Sequence, residues 1–159
     1  MSRFLIRERL LTLSETYDIY DDDNNPVYAV RHELFSLPRK TRLFDKATGL
    51  EVGHITQKMF SLFIEYAIDI RGVTLGSLRK KITFFKPSLE ADFDNLKIAG
   101  DLWARDFSCY SGDELIFEVS WQFLAFSDTY VVDVHNDEYD EAALLMTIAL
   151  DEIYNGRYE

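Results

Sequence analysis

Leu62-Phe63-Ile64-Glu65-Tyr66-Ala67-Ile68-Asp69-Ile70 is the stretch that decides the fold. Leu62, Ile64, Tyr66, Ile68 and Ile70 are apolar, and Phe63, Glu65, Ala67 and Asp69 alternate with them. Successive side chains of a strand point to opposite faces, so this period of two reads as a strand with one buried and one mixed face. The pattern repeats from Leu115: Leu115, Phe117, Val119, Trp121 and Phe123 form one face, and Ile116, Glu118, Ser120 and Gln122 the other. Tyr130, Val132 and Val134 alternate with Thr129, Val131 and Asp133. Turn signals separate such runs at short intervals: Asp21-Asp22-Asp23-Asn24-Asn25-Pro26, Lys46-Ala47-Thr48-Gly49, Arg71-Gly72 and Tyr110-Ser111-Gly112-Asp113. Short strands with tight connections predict a mainly β chain, an antiparallel meander that closes into a barrel or sandwich.

One segment breaks the pattern. From Ala142 to Leu150 the run Ala-Ala-Leu-Leu-Met-Thr-Ile-Ala-Leu has a single polar residue, Thr147. Ala, Leu and Met favour helix. The carboxylates between Asp137 and Glu141 suit the positive end of a helix dipole, and Gly156 stands just past Tyr154, where it can end the helix. A helix apolar on every side is buried on every side. In a mostly β chain, the inside of a closed barrel offers such burial. A helix over about 138–154 would be about 25 Å long, enough to thread one.

Composition bounds the rest. The 159 residues are 47% hydrophobic, with 12 Phe and 9 Tyr, enough for one domain spanning 1–159 with a sizeable core. The net charge of −11 opposes approach to nucleic-acid phosphates, so no nucleic-acid partner is expected. Cys109 is the only cysteine, which excludes an intrachain disulfide and fits a reducing compartment. The N-terminus, Met1-Ser2-Arg3-Phe4-Leu5-Ile6-Arg7, has no signal-peptide pattern, and no apolar run reaches the roughly 20 residues of a transmembrane helix. The expectation is a cytoplasmic chain.

A weak internal repeat also runs through the sequence. Leu34-Phe35-Ser36-Leu37-Pro38, Met59-Phe60-Ser61-Leu62-Phe63 and Thr83-Phe84-Phe85-Lys86-Pro87 recur about every 25 residues. Each reads as a bulky corner between two strands.

These segments, taken in order, resemble the LURP-one-related family, which shares the tubby C-terminal-like fold with the phospholipid scramblases. The closest likeness is to short bacterial members. The residues that carry it are Tyr17-Asp18-Ile19-Tyr20-Asp21 with Pro26-Val27-Tyr28; Leu34-Phe35-Ser36; Ile82-Thr83-Phe84-Phe85-Lys86-Pro87; Gly100-Asp101-Leu102-Trp103-Ala104; Phe126-Ser127-Asp128-Thr129-Tyr130; and Ile148-Ala149-Leu150-Asp151. The resemblance implies a closed barrel of about twelve strands around a central C-terminal helix. It implies no reaction. Tubby-type relatives bind phosphoinositide headgroups through basic residues, and no residue-by-residue match to that pocket is found here. Relatives carry lysines before the Asp-Thr-Tyr segment, where this chain has Ser120-Trp121-Gln122-Phe123.

The candidate site comes from charge asymmetry. The segment from Arg39 to Lys86 is net +6, and the remaining residues are net −17. Its densest clusters are Arg39-Lys40-Thr41-Arg42 and Arg79-Lys80-Lys81, so Arg39, Lys40, Arg42, Arg79, Lys80 and Lys81 are the candidates for binding an anion. The bland reading is that they are solvated strand edges, where Lys blocks edge pairing. On a strand, Arg79 and Lys81 share a side and Lys80 does not.

Other motifs carry less. Asp21, Asp23 and Asn25 look like the opening of a calcium loop, but Pro26 and His32 stand where an EF-hand needs Gly and Glu, so a polar hairpin tip is expected. Gly72 and Gly76 before Arg79 miss the Walker spacing. One Cys and three scattered His, at 32, 54 and 135, offer no metal set, and no cofactor motif is found.

The expected function is therefore a non-catalytic binding module whose basic surface meets an anionic partner, such as phospholipid headgroups or an acidic protein. Two alternatives stay open. One is an enzyme whose site forms only in three dimensions, with Cys109 and a histidine. The other is a scaffold or regulatory protein without a small ligand.

Overall fold

The computed structural model describes residues 1–7, 16–33, 37–58, 63–82, 87–93, 95–102, 104–124 and 127–154. It contains twelve strands: β1 (Ser2–Arg7), β2 (Thr16–Asp21), β3 (Pro26–Glu33), β4 (Lys40–Asp45), β5 (Glu51–Gln57), β6 (Ile64–Ile70), β7 (Val73–Ile82), β8 (Pro87–Phe93), β9 (Lys97–Asp101), β10 (Asp106–Ser111), β11 (Glu114–Leu124) and β12 (Ser127–Val134). A 3-10 turn at Asp137–Tyr139 leads into one α-helix, α1 (Asp140–Tyr154). Asn136 caps the turn by accepting from the Glu138 N–H at 3.2 Å.

All strands belong to one antiparallel sheet in the order β8-β7-β6-β5-β4-β3-β2-β1-β12-β11-β10-β9. The meander is thus broken once, where β12 returns to pair with β1, matching Ser2 to Val134 and Arg7 to Thr129. That pairing curls the sheet into a nearly closed barrel whose two edges, β8 and β9, are consecutive in sequence. Because neighbours are antiparallel, the connections sort to two ends. The tight hairpin between β6 and β7 lies at the end where α1 begins, here the turn end. There Arg71 (φ 50°) and Gly72 (φ 82°) take the two left-handed positions of a primed turn, which glycine adopts without strain. The connections after β3, β5, β7 and β11 lie at the opposite, loop end, where α1 finishes. The repeated Phe-containing corners fall in these connections; residues 34–36, 59–62 and 83–86 of them lie outside the described residues.

The period-two reading holds on β6, where Tyr66 and Ile68 are buried, and on β12, where Tyr130, Val132 and Val134 are fully buried. On β11 it holds for Phe117 and Val119 and fails beyond them: Phe123 is 70% exposed. The reason is length. The ladder between β10 and β11 stops at Phe107–Val119, so the end of β11 outruns its neighbour and projects past the barrel wall with β12 alone.

The helix runs through the lumen, and every residue from Ala142 to Ile153 is buried. It packs tightly against Gly53 of β5. A Cβ on Gly53 would lie 2.6 Å from the Asp69 carbonyl oxygen and 2.7 Å from Leu145 Cδ1, so only glycine lets the helix seat there. Leu145 is fully buried, and Leu145→Ala is expected to cost about 2–5 kcal/mol by urea unfolding, the usual range for a buried leucine. Gly53→Ala should lower the unfolding midpoint too, since backbone on one side and helix on the other leave a methyl no room.

Candidate functional site

The first basic cluster lies at the start of β4, the second at the end of β7. Two strands separate them: Lys40 pairs with Thr56, Thr56 with Ala67, and Ala67 with Ser77. At about 4.8 Å per strand, β4 and β7 stand about 14 Å apart. The clusters are also divided between faces. Thr41 and Leu43 point into the lumen, so Lys40 and Arg42 point out. Arg79 points out as well, while Lys80 follows the lumenal phase of the buried Leu78. The Arg39 carbonyl accepts from the Gln57 N–H at 2.9 Å, just before β4. Lys81 lies on β7, paired with Ser88.

Neighbouring strands supply carboxylates to this outer face. Arg42 spans two of them, Nε to Glu33 Oε1 at 2.5 Å and Nη1 to Glu51 Oε1 at 2.9 Å. These hydrogen bonds raise the Arg42 pKa, Glu33 contributing most. Arg79 meets Glu90 at 3.1 Å, Lys58 meets Glu65 at 3.3 Å, and His54 meets Asp69 at 3.1 Å. The face is a ladder of alternating sign. Of the six candidates, Lys40, Arg42 and Arg79 share it.

Two polar networks that the sequence reading missed lie inside the loop end. In the first, Thr41 Oγ1 donates to Glu152 Oε1 at 2.5 Å, and His32 Nδ1 lies 3.0 Å from both of those oxygens. The three residues are 2%, 2% and 7% exposed, and the His32 Nε2 is buried without a hydrogen-bond partner. In the second, the Tyr130 hydroxyl donates to Asp151 Oδ1 at 3.0 Å and accepts from Arg105 Nη1 at 3.3 Å. Burial first, then the Asp151 charge, holds the Tyr130 phenol far above its usual range. The Arg105 guanidinium is itself buried between two rings, 3.6 Å from the Trp121 centroid and 3.8 Å from that of Tyr154. Arg105 reaches them from a left-handed backbone (φ 61°) in the turn from β9 to β10. The signal that could have found both networks is Asp151-Glu152 itself. Two carboxylates follow an apolar run at the negative end of a helix dipole, where charge of that sign is stable only with close partners.

A His, a Thr and a Glu within hydrogen-bond reach resemble a nucleophile with its base, but all three are sealed from solvent, so the arrangement fixes the helix. Cys109 does not join a histidine. It is fully buried on β10 opposite Ile98 and Phe117, and burial pushes its thiol up to about 12. His54 and His135 pair with carboxylates on the outer face, and His32 belongs to the first network. The Asp21 tip is a hairpin turn: Asp21 Oδ1 accepts from the N–H groups of Asp23 and Asn25 at 3.0 and 2.8 Å. Among the described residues no three His, Cys, Asp or Glu are placed to hold a metal ion, and no helix is long and apolar enough to cross a membrane.

The turn end holds an open hollow of about 710 Å³ between β1, the turns after β2 and β4, and the start of α1. Asp140 lines it, and its carboxyl is pushed up to about 6 by burial and by the Asp137 charge, against the Ser2 hydroxyl that donates to it at 3.3 Å.

Two outcomes follow from these environments. Glu152→Ala strands His32 and Thr41 and should cost about 3 kcal/mol in chemical denaturation, more than Glu152→Gln, which keeps the shape and an acceptor. Asp140 titrates higher folded than unfolded, so its protonation contributes stability that is fully present below about pH 4 and lost as pH rises through about 6. Asp140→Asn should therefore be more stable than wild type at pH 7–8, on the order of 1 kcal/mol after solvent screening, with the difference gone by pH 4 in a pH series of melts.

Comparison with known proteins bears on the whole chain. A solved X-ray structure of a protein from Arabidopsis thaliana superposes over 96% of this chain and 90% of its own, with a TM-score of 0.60 at 18% identity, which establishes the shared fold. The uncharacterized protein YxjI of Bacillus subtilis (strain 168) is 31% identical over 163 residues, covering all of this chain and 98% of that one. The profile of the LURP-one-related family matches residues 2–151, and with the barrel, its return pairing of β12 to β1 and the helix inside it, the chain belongs to the LURP-one-related family.

Proposed function

We propose that this protein is a non-catalytic binding module that works through the outside of its barrel, and that its ligand is the anionic headgroup layer of phospholipids, met by the β4–β7 side of the loop end. The observation that carries the reading is the filled lumen. With Ala142 to Ile153 all buried, the interior in which an open barrel would hold a small ligand is occupied by α1. Binding is left to the surface, and that surface is polarised. Arg39, Lys40, Lys58 and Arg79 stand on the β4–β7 side of the loop end, with Glu33 and Glu65 among them and Asp101, Asp106 and Asp128 on its far side. Asp21, Asp22, Asp23, Asp45, Asp137 and Glu138 stand at the turn end. The overall charge of −11 repels an anionic surface, so the field favours one orientation, loop end toward the ligand. The module needs no cofactor in this reading. A buried single cysteine fits a reducing, cytoplasmic setting.

Because Arg42 and Arg79 are shared with carboxylates, binding is weak and salt-sensitive. Wild-type protein should co-sediment with vesicles containing phosphatidylserine at low salt, lose most of that binding at physiological salt, and ignore neutral phosphatidylcholine vesicles. Lys40→Glu with Arg79→Glu should weaken low-salt binding about tenfold or more, each basic residue near the surface contributing on the order of 1 kcal/mol. Equal binding by the double variant, with an unchanged melting temperature, would refute the headgroup reading.

A further inference from the structure

We propose that the open edge of β11 from Ser120 to Leu124 is a docking strand for an extended, basic segment of a partner protein, which pairs with it in the place that β10 vacates. This goes beyond the headgroup reading and does not rest on it, since it concerns another side of the barrel and a ligand of opposite charge.

The edge exists because two neighbouring strands differ in length. The β10–β11 ladder stops at Phe107–Val119, where the left-handed Arg105 (φ 61°) turns the chain back towards β9. β11 runs on to Leu124, paired on its other side with β12 from Ser120–Val131 to Leu124–Ser127. Among the described residues no strand lies on the side that β10 has left. Backbone N–H and C=O groups of a strand point alternately to its two sides, so this stretch offers a set of them to an incoming chain.

The side chains of this edge do not guard it. The sheet's outer edges are β8, which opens on Pro87 and carries Glu90 and Asp92, and β9, which carries Lys97 and Asp101. Proline and charge are what natural edges use against stray pairing. Ser120-Trp121-Gln122-Phe123-Leu124 has neither. Trp121, Phe123 and Leu124 are exposed, with Trp121 and Phe123 on one face. Trp121 is held by its stack on Arg105, and Arg105 by Tyr154 of the helix, so the edge is anchored to the core.

Charge selects the partner. Asp106 heads β10 at the point where the ladder stops, with Asp101 directly opposite it on β9, and both are exposed. Asp128 stands opposite Phe123 on β12. Like charges placed directly opposite repel, and a cation docked beside them relieves that. The flanking cations of the chain are committed elsewhere. Arg105 is buried in its stack, and Arg7 on β1 lies over Tyr20 and donates to Asn24 of the turn after β2. A second copy pairing edge to edge would set these same acids against each other. A strand alternating apolar and Lys or Arg side chains answers both features. Its apolar side meets Trp121 and Phe123. Its cations lie on the opposite face, which Asp106 takes by alternation with the buried Phe107.

The test titrates the full chain, at low salt, into a dye-labelled short peptide alternating Lys and Val, read by fluorescence anisotropy. The peptide should bind, and its counterpart with Glu in place of Lys should not. Methylating the backbone nitrogens of the Lys peptide removes its donors and should weaken binding about tenfold or more. Asp106→Asn with Asp128→Asn should weaken it about fivefold, and so should Phe123→Ser, neither variant melting below wild type. Asp22→Asn with Asp23→Asn, at the turn end, should leave it unchanged. No binding of the Lys peptide overturns the docking edge. So does binding that the turn-end pair weakens as much as the Asp106 and Asp128 pair, because that is attraction to net charge alone. Undiminished binding of the methylated peptide overturns strand pairing. Self-association of the protein alone, abolished by Phe123→Ser, gives the edge to a second copy and overturns the basic partner. Vesicle binding is a separate measurement, and none of these outcomes alters it.

Discussion

Two carboxylates inside an apolar lumen set the register of everything else. Asp151 and Glu152 end a helix whose dipole repels them, within a barrel whose walls are mostly apolar. Each has one solution on the wall: Tyr130 with Arg105 for Asp151, and Thr41 with His32 for Glu152. A slide of one helical turn, about 5.4 Å, would leave both charges facing hydrocarbon. Hydrophobic packing alone does not discriminate so sharply, because a helix of Ala, Leu, Met and Ile fits an apolar tube at several depths. The apolar residues make the helix enter, and the two acids decide where it stops.

The wall partners come from opposite sides of the curled sheet, β4 and β3 on one side and β12 and the β9–β10 turn on the other. The helix end therefore braces the barrel across its diameter. Arg105 extends the brace outward, since its guanidinium fills the space between a ring on the helix and a ring on β11. A left-handed arginine is a strained choice of backbone, and the stack explains why an arginine stands there in place of glycine.

Strand alternation, the turn chemistry and the buried helix were all legible along the chain, because each depends on neighbours one to four residues away. Tyr66 and Ile68 on β6 were readable in this way, and so was the run from Ala142 to Leu150. The polar networks were not. Thr41 and Glu152 are 111 residues apart, and only the closure of the barrel brings them together. The arrangement of the basic clusters was hidden for a related reason. Arg39-Lys40-Thr41-Arg42 is basic as text, yet alternation turns Thr41 inward, and the carboxylates that offset Arg42 come from the strands on either side. Trp121 and Phe123 continued a buried face on paper. Their exposure depends on where β10 stops, a property of a different strand.

The single break in the meander has a consequence for how such a chain is made. The helix follows all twelve strands along the chain and ends up innermost, so it cannot be pushed through a finished tube. The wall must wrap around it. The contact that curls the sheet, β1 against β12, joins the two extremes of the strand sequence, and the helix follows within six residues of it. Until β12 and the helix have emerged from the ribosome, the first eleven strands have no filling and no return strand. They can form hairpins and no enclosed core. Enclosure of the core therefore waits for the helix, and until it arrives the strands display a broad unfilled sheet.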